Sequence, residues 1–288
     1  MDELMQRWTG TFSAQHPVTP ARVTYESKFS AQAFDALLAG TIAVAPFARE
    51  LFPAERARYL AQHGTEPRLV PVATGSRDTR GGTHAIAIFV NARNPLTRLS
   101  LDRLREILTR DGSITTWGQL GLDGAWAKKK INLHGMSVRR ETGNPPGIVN
   151  FIEQRVLSGL SWRDDMTAHA DTPGGPQALE QITRAVAADE YALGYSGFSY
   201  AASGTKTLAL AESYAGPFYA GSPEEIARRD YPLTRTIYLC INHNADALTV
   251  DFVRHVLSPE GQRCIATEAR KFFPLPARVL ATAQASLR

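Results

Sequence analysis

The residues with the clearest capacity for chemistry lie in one polar, basic loop at positions 137–144. Its donor-bearing residues are Arg139, Arg140, Thr142 and Gly143. The loop runs directly into a predicted helix over 145–157, and guanidinium groups, hydroxyls and the N–H groups of a helix start all bind oxyanions. The loop therefore predicts an anion-binding site, although an ordinary capped helix start remains open as the alternative.

Two other predicted helix starts have the same character. Ser30 opens a predicted helix over 30–40, and residues 172–175 precede a second one that begins at Pro176. Arg49 follows a predicted short strand at its carboxyl end, where ligands of α/β proteins usually bind. Several helix starts of this kind favour a site where N-termini converge on an anion, whereas simple capping and a surface arginine are the alternatives.

Signatures of catalysis and of metal binding are missing from the sequence. It contains no GxSxG, HExxH or GxxxxGK[ST] motif, and its seven histidines are scattered singly. The pair Asp164 and Asp165 fits a solvated loop better than a metal site. Cys240 and Cys264 lack metal-ligand spacing, and two free thiols are favoured over one bridge. We therefore expect no catalytic residues, no metal and no cofactor.

Composition limits the class of protein. The chain has 288 residues, of which 43% are hydrophobic and 21% charged, so a disordered or fibrous chain is excluded. A formal net charge of +4 without a long basic run does not suggest nucleic-acid binding. No apolar stretch reaches the ~20 residues of a membrane span, and the N-terminus does not resemble a signal peptide. This length predicts one large or two medium domains.

The elements that must position these residues alternate between strands and helices. Long strands are predicted over 83–91 and 236–242, and the segment between them has its own strand and helix signals. This pattern favours an α/β architecture with an inserted domain. The first helix carries an apolar face of Leu4, Met5, Trp8 and Phe12. Other predicted strands are 22–25, 41–45, 131–134 and 191–195, and other predicted helices are 53–62, 100–108, 176–188, 247–257 and 259–269.

In their order along the chain, several segments resemble the phosphate-type substrate-binding proteins of ABC transporters. The resemblance covers nearly the whole chain. It rests on residues 34–40 and 42–49, 84–96, 99–101 with 116–120, 192–197, 231–235 and 257–262.

The resemblance implies a two-lobed type-II periplasmic-binding-protein fold with the ligand cleft between the lobes. Lobe I would comprise residues 1–86 and 237–288, lobe II would comprise residues 87–236, and the long strands would be the hinge crossings. By the same resemblance, the ligand-binding residues would be Ser30, Arg49, Arg139 or Arg140, Thr142 and Gly143.

The implied function is a solute-binding protein for an inorganic oxyanion, phosphate first, that delivers its ligand to an ABC transporter permease. We call loop residues 139–144 the anion cradle. It reads Thr-Gly-Asn at 142–144 where the family has Ser-Gly-Thr, so another oxyanion remains open. A secreted phosphatase on the same fold and an oxyanion sensor without transport are the alternative functions. The family implies a periplasmic or extracellular monomer. The chain also resembles a family member that lacks the leader and the first strand.

Overall fold

The computed structural model describes residues 1–15, 23, 25–26, 30–138, 144–267, 269 and 271–287, without the side chain of Ser30. The chain divides into two compact units. Unit 1 comprises Met1–Ser76, Gly81–Thr83 and Arg235–Arg288, and unit 2 comprises Arg77–Arg80 and His84–Thr234. Each unit has its own sheet and helices, so the predicted α/β character holds for both.

The helices of unit 1 are α1 (Asp2–Gln15), α2 (Ser30–Leu38), α3 (Pro53–His63), α8 (Ala247–Val256), α9 (Pro259–Ala266) and α10 (Ala277–Ala285). Those of unit 2 are α4 (Leu101–Leu108), α5 (Gly147–Ile152), α6 (Ala178–Ala188) and α7 (Pro223–Arg228). None of the helices in the described part of the chain is both long enough and apolar enough to cross a membrane.

The strands of unit 1 are β1 (Val44–Phe47), β2 (Arg68–Thr74) and β10 (Thr236–Ile241). Those of unit 2 are β3 (Ile86–Asn91), β4 (Arg98–Ser100), β5 (Asn132–Met136), β6 (Thr167–His169), β7 (Ala192–Gly197), β8 (Thr205–Thr207) and β9 (Ala209–Ala211).

The sheet of unit 1 is antiparallel, with β10 between β1 and β2. The four apolar residues predicted to share a face of α1 are all buried against this sheet, α8 and α9. Trp8 also donates its indole N–H to the carbonyl of Gly261, at 2.9 Å. The amphipathic period of the sequence therefore predicted the buried face of α1 correctly, because removing apolar side chains from water stabilises the folded state.

The main sheet of unit 2 is mixed, in the order β6-β5-β7-β3-β8. β5 runs parallel to both β6 and β7, whereas β3 is antiparallel to β7 and β8. Every residue of β3 is buried, which explains its continuous apolar sequence. Helix α6 packs against β3, β5 and β7. β4 and β9 form a separate parallel pair.

Several predicted elements differ from the structure. The strand predicted over 41–45 lies at Val44–Phe47, and β2 was missed because Pro71 interrupts its apolar run. The helix predicted over 145–157 is α-helical only over Gly147–Ile152 and continues as a π-helical turn over Glu153–Leu157. The strand predicted over 22–25 falls partly outside the described residues, and its described residues lie in no strand.

Candidate functional site

Arg49 lies just beyond β1, and its side chain is only 11% exposed. Its guanidinium holds Glu55 through two bonds, Nη1 to Oε2 at 2.8 Å and Nη2 to Oε1 at 2.6 Å. The same group lies over the ring of Phe52, 3.9 Å from the centroid. Arg49, which was predicted to bind the anion, therefore forms a two-bond ion pair with a carboxylate and stacks on an aromatic ring.

The start of α3 positions the carboxylate that Arg49 meets. Pro53 is the first residue of the helix, and Glu55 accepts a hydrogen bond from the backbone N–H of Phe52 at 2.8 Å. This arrangement is the half of a capping box in which an acidic side chain reaches back to the helix start. One carboxylate thus caps α3 and neutralises Arg49.

A second buried arginine lies in the same part of unit 1. Arg235 contacts Glu50 at 3.2 Å, with side chains that are 5% and 14% exposed, and Arg49 donates to the backbone carbonyl of Glu50 at 2.9 Å. We call Arg49, Glu50, Glu55 and Arg235 the acid–base cluster. The formal charges of these four described residues cancel, so together they add no net positive charge to attract an anion.

Arg235 was not predicted as a site residue. The sequence feature that could have indicated it is an arginine directly before the strongly apolar segment that forms β10. In the structure this position is buried. Such a residue needs a carboxylate partner. The sequence does not show which one, because Glu50 lies far away along the chain.

Ser30 is the first residue of α2, so this predicted helix start is present in the backbone. Its hydroxyl lies outside the part of the chain that the structure describes. The predicted glycine stop is also present, since Gly40 adopts a left-handed φ of 72°.

Unit 1 contains a cavity of about 460 Å³ between α1, β1 and α8. Its walls include apolar residues such as Met5, Val44 and Phe252. Its charged described lining residues are acidic, namely Asp2, Glu26 and Asp246. Hydrogen bonds from Thr249 lower the pKa of Asp246, which favours its carboxylate form. These three described carboxylates therefore oppose an oxyanion.

Arg139, Arg140, Thr142 and Gly143 all lie outside the described residues. The structure does describe both ends of their loop. Before it, the backbone N–H of Met136 donates to the hydroxyl of Tyr195 at 2.9 Å, and Ser137 N–H donates to the carbonyl of His169 at 2.7 Å. After it, Pro146 caps α5 without a side-chain hydrogen bond. The cradle therefore stays a prediction, attached to a well-bonded strand and a helix start.

The third predicted helix start is already occupied by a carboxylate. Helix α6 begins at Ala178, and the N–H of this residue donates to Asp171 Oδ1 at 2.8 Å. An acidic side chain at this position has the effect that a bound anion would have, because both satisfy the free N–H groups and the positive end of the dipole. We therefore do not place a ligand there.

Of the predicted site residues, the structure describes only Arg49 and the backbone of Ser30, both in unit 1, so the predicted site stays a prediction. Among the residues that the structure describes, no group of three or more histidine, cysteine, aspartate or glutamate side chains is arranged to hold a metal ion. Cys240 and Cys264 are free thiols, as the sequence favoured. Burial raises the pKa of Cys240 to about 12.

Two α/β units formed by a chain that returns to its first unit are the architecture of a two-lobed solute-binding protein. The chain belongs to the PBP superfamily, whose domain profile matches residues 1–260. The predicted family and fold class are therefore confirmed.

The relatives are consistent with this assignment. The chain is 27% identical over 286 residues to the phosphate-binding protein PstS of Pseudomonas aeruginosa, and the alignment covers 96% of this chain and 80% of the relative. It is similar to the crystal structure of PstS from Borrelia burgdorferi, with a TM-score of 0.60, 18% identity and coverage of 95% and 94% of the two chains. An ABC-type phosphate transport receptor from Vibrio cholerae gives a TM-score of 0.58, 19% identity and coverage of 95% of each chain.

Proposed function

We propose that this chain is a solute-binding protein for an inorganic oxyanion, with phosphate as the first ligand, and that it delivers the anion to an ABC transporter. The observation that carries the proposal is the similarity to the Pseudomonas phosphate-binding protein, which extends over 96% of the chain. Membership of the PBP superfamily supports a binding role, and no enzymatic motif in the sequence supports another one.

Binding would use hydrogen bonds of two kinds. One of Arg139 and Arg140 would supply a charged guanidinium that can bond two ligand oxygens, because its planar fork matches the spacing of oxygens in a tetrahedral anion. Thr142 and Ser30 would add hydroxyl donors, and Gly143 would add a backbone N–H that a ligand can approach closely.

Arg49 would have a smaller part than the sequence suggests. Three of its guanidinium N–H groups already bond Glu55 and the carbonyl of Glu50, so a ligand would meet only the remaining donors. A buried arginine already neutralised by a carboxylate also adds little net charge to a site. Its main effect would be to hold the segment after β1 in place.

The similarity to these relatives also supports a proposal for the location, the protein partner and the ligand. We propose a periplasmic or extracellular location, a permease as the protein partner and phosphate or a related oxyanion as the ligand. We further propose that the chain acts as a monomer, does not bind nucleic acid and catalyses no reaction.

Titration calorimetry with phosphate tests the proposal. We expect the parent chain to bind phosphate, and we expect one of Arg139→Ala and Arg140→Ala to weaken binding by about 1.5–3 kcal/mol, roughly ten- to a hundredfold. Thr142→Val should cost about 1 kcal/mol, since it removes a neutral donor at similar volume. Arg110→Ala is the matched control, because Arg110 is more than half exposed and pairs with Asp164 at 2.7 Å.

The possible outcomes separate the hypotheses. If the parent binds phosphate and both arginine variants bind equally well, the cradle is wrong and the ligand is right. If sulfate displaces phosphate with equal affinity, the site recognises oxyanions in general. If the parent binds neither anion, the proposed function is wrong. Turnover of a chromogenic phosphate ester, abolished by a chelator, would instead indicate the phosphatase.

A further inference from the structure

His134 and His169 are brought together by neighbouring parallel strands. β5 pairs with β6 so that His134 lies opposite Thr167 and Met136 lies opposite His169. Because alternate residues of a strand share one face, both imidazoles project from the same face of the sheet. His134 Nδ1 lies 3.1 Å from His169 Nε2, and the ring centroids are 5.4 Å apart.

Both imidazoles are partly buried, and each presents a ring nitrogen at the contact between them. A neutral imidazole carries one N–H and one nitrogen lone pair, and the lone pair is the group that binds metal ions.

One polar side chain near the two rings can act as a second-shell partner. The side chain of Gln181, from α6, is hydrogen-bonded to His169. Such a partner fixes the tautomer and orientation of a ligating histidine. The carboxylate of Asp189 acts on His134 through its charge, and it accepts hydrogen bonds from Asn132 at 2.7 Å and from the N–H of Tyr191 at 2.9 Å.

We propose that His134 Nδ1 and His169 Nε2 together chelate one divalent late transition-metal ion, with Cu²⁺ bound most tightly. Two nitrogens at 2.0–2.1 Å from one ion and 3.1 Å from each other subtend an angle of about 100° at the metal. This angle lies between those of square and tetrahedral coordination. Imidazole suits Cu²⁺, Ni²⁺ and Zn²⁺, and Cu²⁺ forms the most stable complexes of the series.

The remaining coordination positions would hold water or an added ligand. Met136 lies on the same face of β5 as His134 and directly opposite His169, so its thioether is a candidate for a third protein ligand. The site is independent of the proposed anion cradle, because it needs none of residues 139–143.

The test uses untagged full-length chain, stripped of metal with a chelator and dialysed. Cu²⁺ is titrated calorimetrically in the presence of glycine as a weak competitor. We expect one tight site per chain, weakened at least about tenfold by His134→Asn or His169→Asn, because even loss of a second-shell partner costs 10- to 100-fold. Gln181→Leu should weaken binding less than either ligand variant.

A second close histidine pair among the described residues offers a matched control. The rings of His63 and His243 lie 4.2 Å apart, and His63 Nε2 bonds the carbonyl of Leu38 at 3.0 Å. His63→Asn should leave the Cu²⁺ affinity unchanged. If His63→Asn weakens binding and the other two variants do not, the site is at the wrong pair and our proposal is overturned.

Variants that fail to fold do not decide the question, so a measurement on the parent chain accompanies them. With diamagnetic Zn²⁺, ¹⁵N spectra of the histidine rings should shift at Nδ1 of His134 and at Nε2 of His169. Ring signals unchanged at saturating Zn²⁺ would show that the 3.1 Å contact is an N–H···N hydrogen bond and no metal site.

Discussion

The two units of the chain each bury an arginine, and they satisfy it in different ways. In unit 1, Arg49 is paired with Glu55, and the two side chains are 11% and 4% exposed. In unit 2, Arg163 is 7% exposed, but its carboxylate partner Asp165 is 42% exposed. The first pair is removed from water as a whole, whereas only the cation of the second pair is buried.

The difference lies in what else bonds each guanidinium. Arg163 contacts three backbone carbonyls, those of Ile107, Ile114 and Ile131, at 3.4–3.5 Å. These acceptors solvate the cation inside the protein, so its carboxylate can remain near the surface. Arg49 has one backbone acceptor and depends on a buried carboxylate, so the removal of either charge leaves the other isolated.

The largest expected effect comes from Glu55→Ala. It leaves Arg49 without its counter-charge and the N–H of Phe52 without its acceptor, so we expect a loss of about 3–5 kcal/mol in the free energy of unfolding. Urea denaturation measures it, with Glu66→Ala as the control, because Glu66 is 58% exposed. The double variant Arg49→Met with Glu55→Leu should recover most of the loss. A loss below 1 kcal/mol for Glu55→Ala would show that the pair is not isolated from water.

A smaller effect, with a defined pH dependence, is expected for Asp165→Asn. Hydrogen bonds from Arg163, and then from Lys130, hold the pKa of Asp165 well below its usual range. The folded state therefore binds this proton less readily than the unfolded state, and the carboxylate stabilises the fold above pH ~3.9. Because this side chain is partly exposed, solvent screening limits its contribution to about 1 kcal/mol.

The advantage of the parent over Asp165→Asn should be complete at pH 6 and should shrink as the pH falls below about 4. Urea unfolding at pH 6 and pH 3 measures this difference. Asp164→Asn is the neighbouring control, because Asp164 is 71% exposed. A difference that is the same at both values of pH would contradict the assignment to the Asp165 carboxylate.

The smallest effect is expected where both partners are exposed. Arg58 and Asp35 lie 3.0 Å apart with side chains that are 56% and 61% exposed. Asp35→Ala should change the free energy of unfolding by less than about 0.5 kcal/mol, because water competes for both charges. Thermal melts at low and high salt check this. A loss above 1 kcal/mol would show that burial does not explain why the expected effect decreases from Glu55 to Asp165 to Asp35.

Helices were predicted well wherever apolar residues recur at a helical period along the sequence. The predicted apolar face of α1 and the predicted ends of α3, α8 and α9 agree with the structure to within a few residues, since helix caps and apolar periods are local signals. Predictions were weaker where the local signal was mixed, as for β2 with its internal proline and for the helix after Pro146 that continues as a π-helical turn.

By itself, the sequence determined the family and the α/β class, because these depend on residue types and on their order, and it predicts which residues would bind an anion. The tertiary structure decided which of the charged and polar side chains pair with each other. It paired Arg49 with a carboxylate six residues away, and it joined His134 to His169 across 35 residues. Strand pairing and helix packing bring such groups together, and no spacing along the chain encodes those contacts.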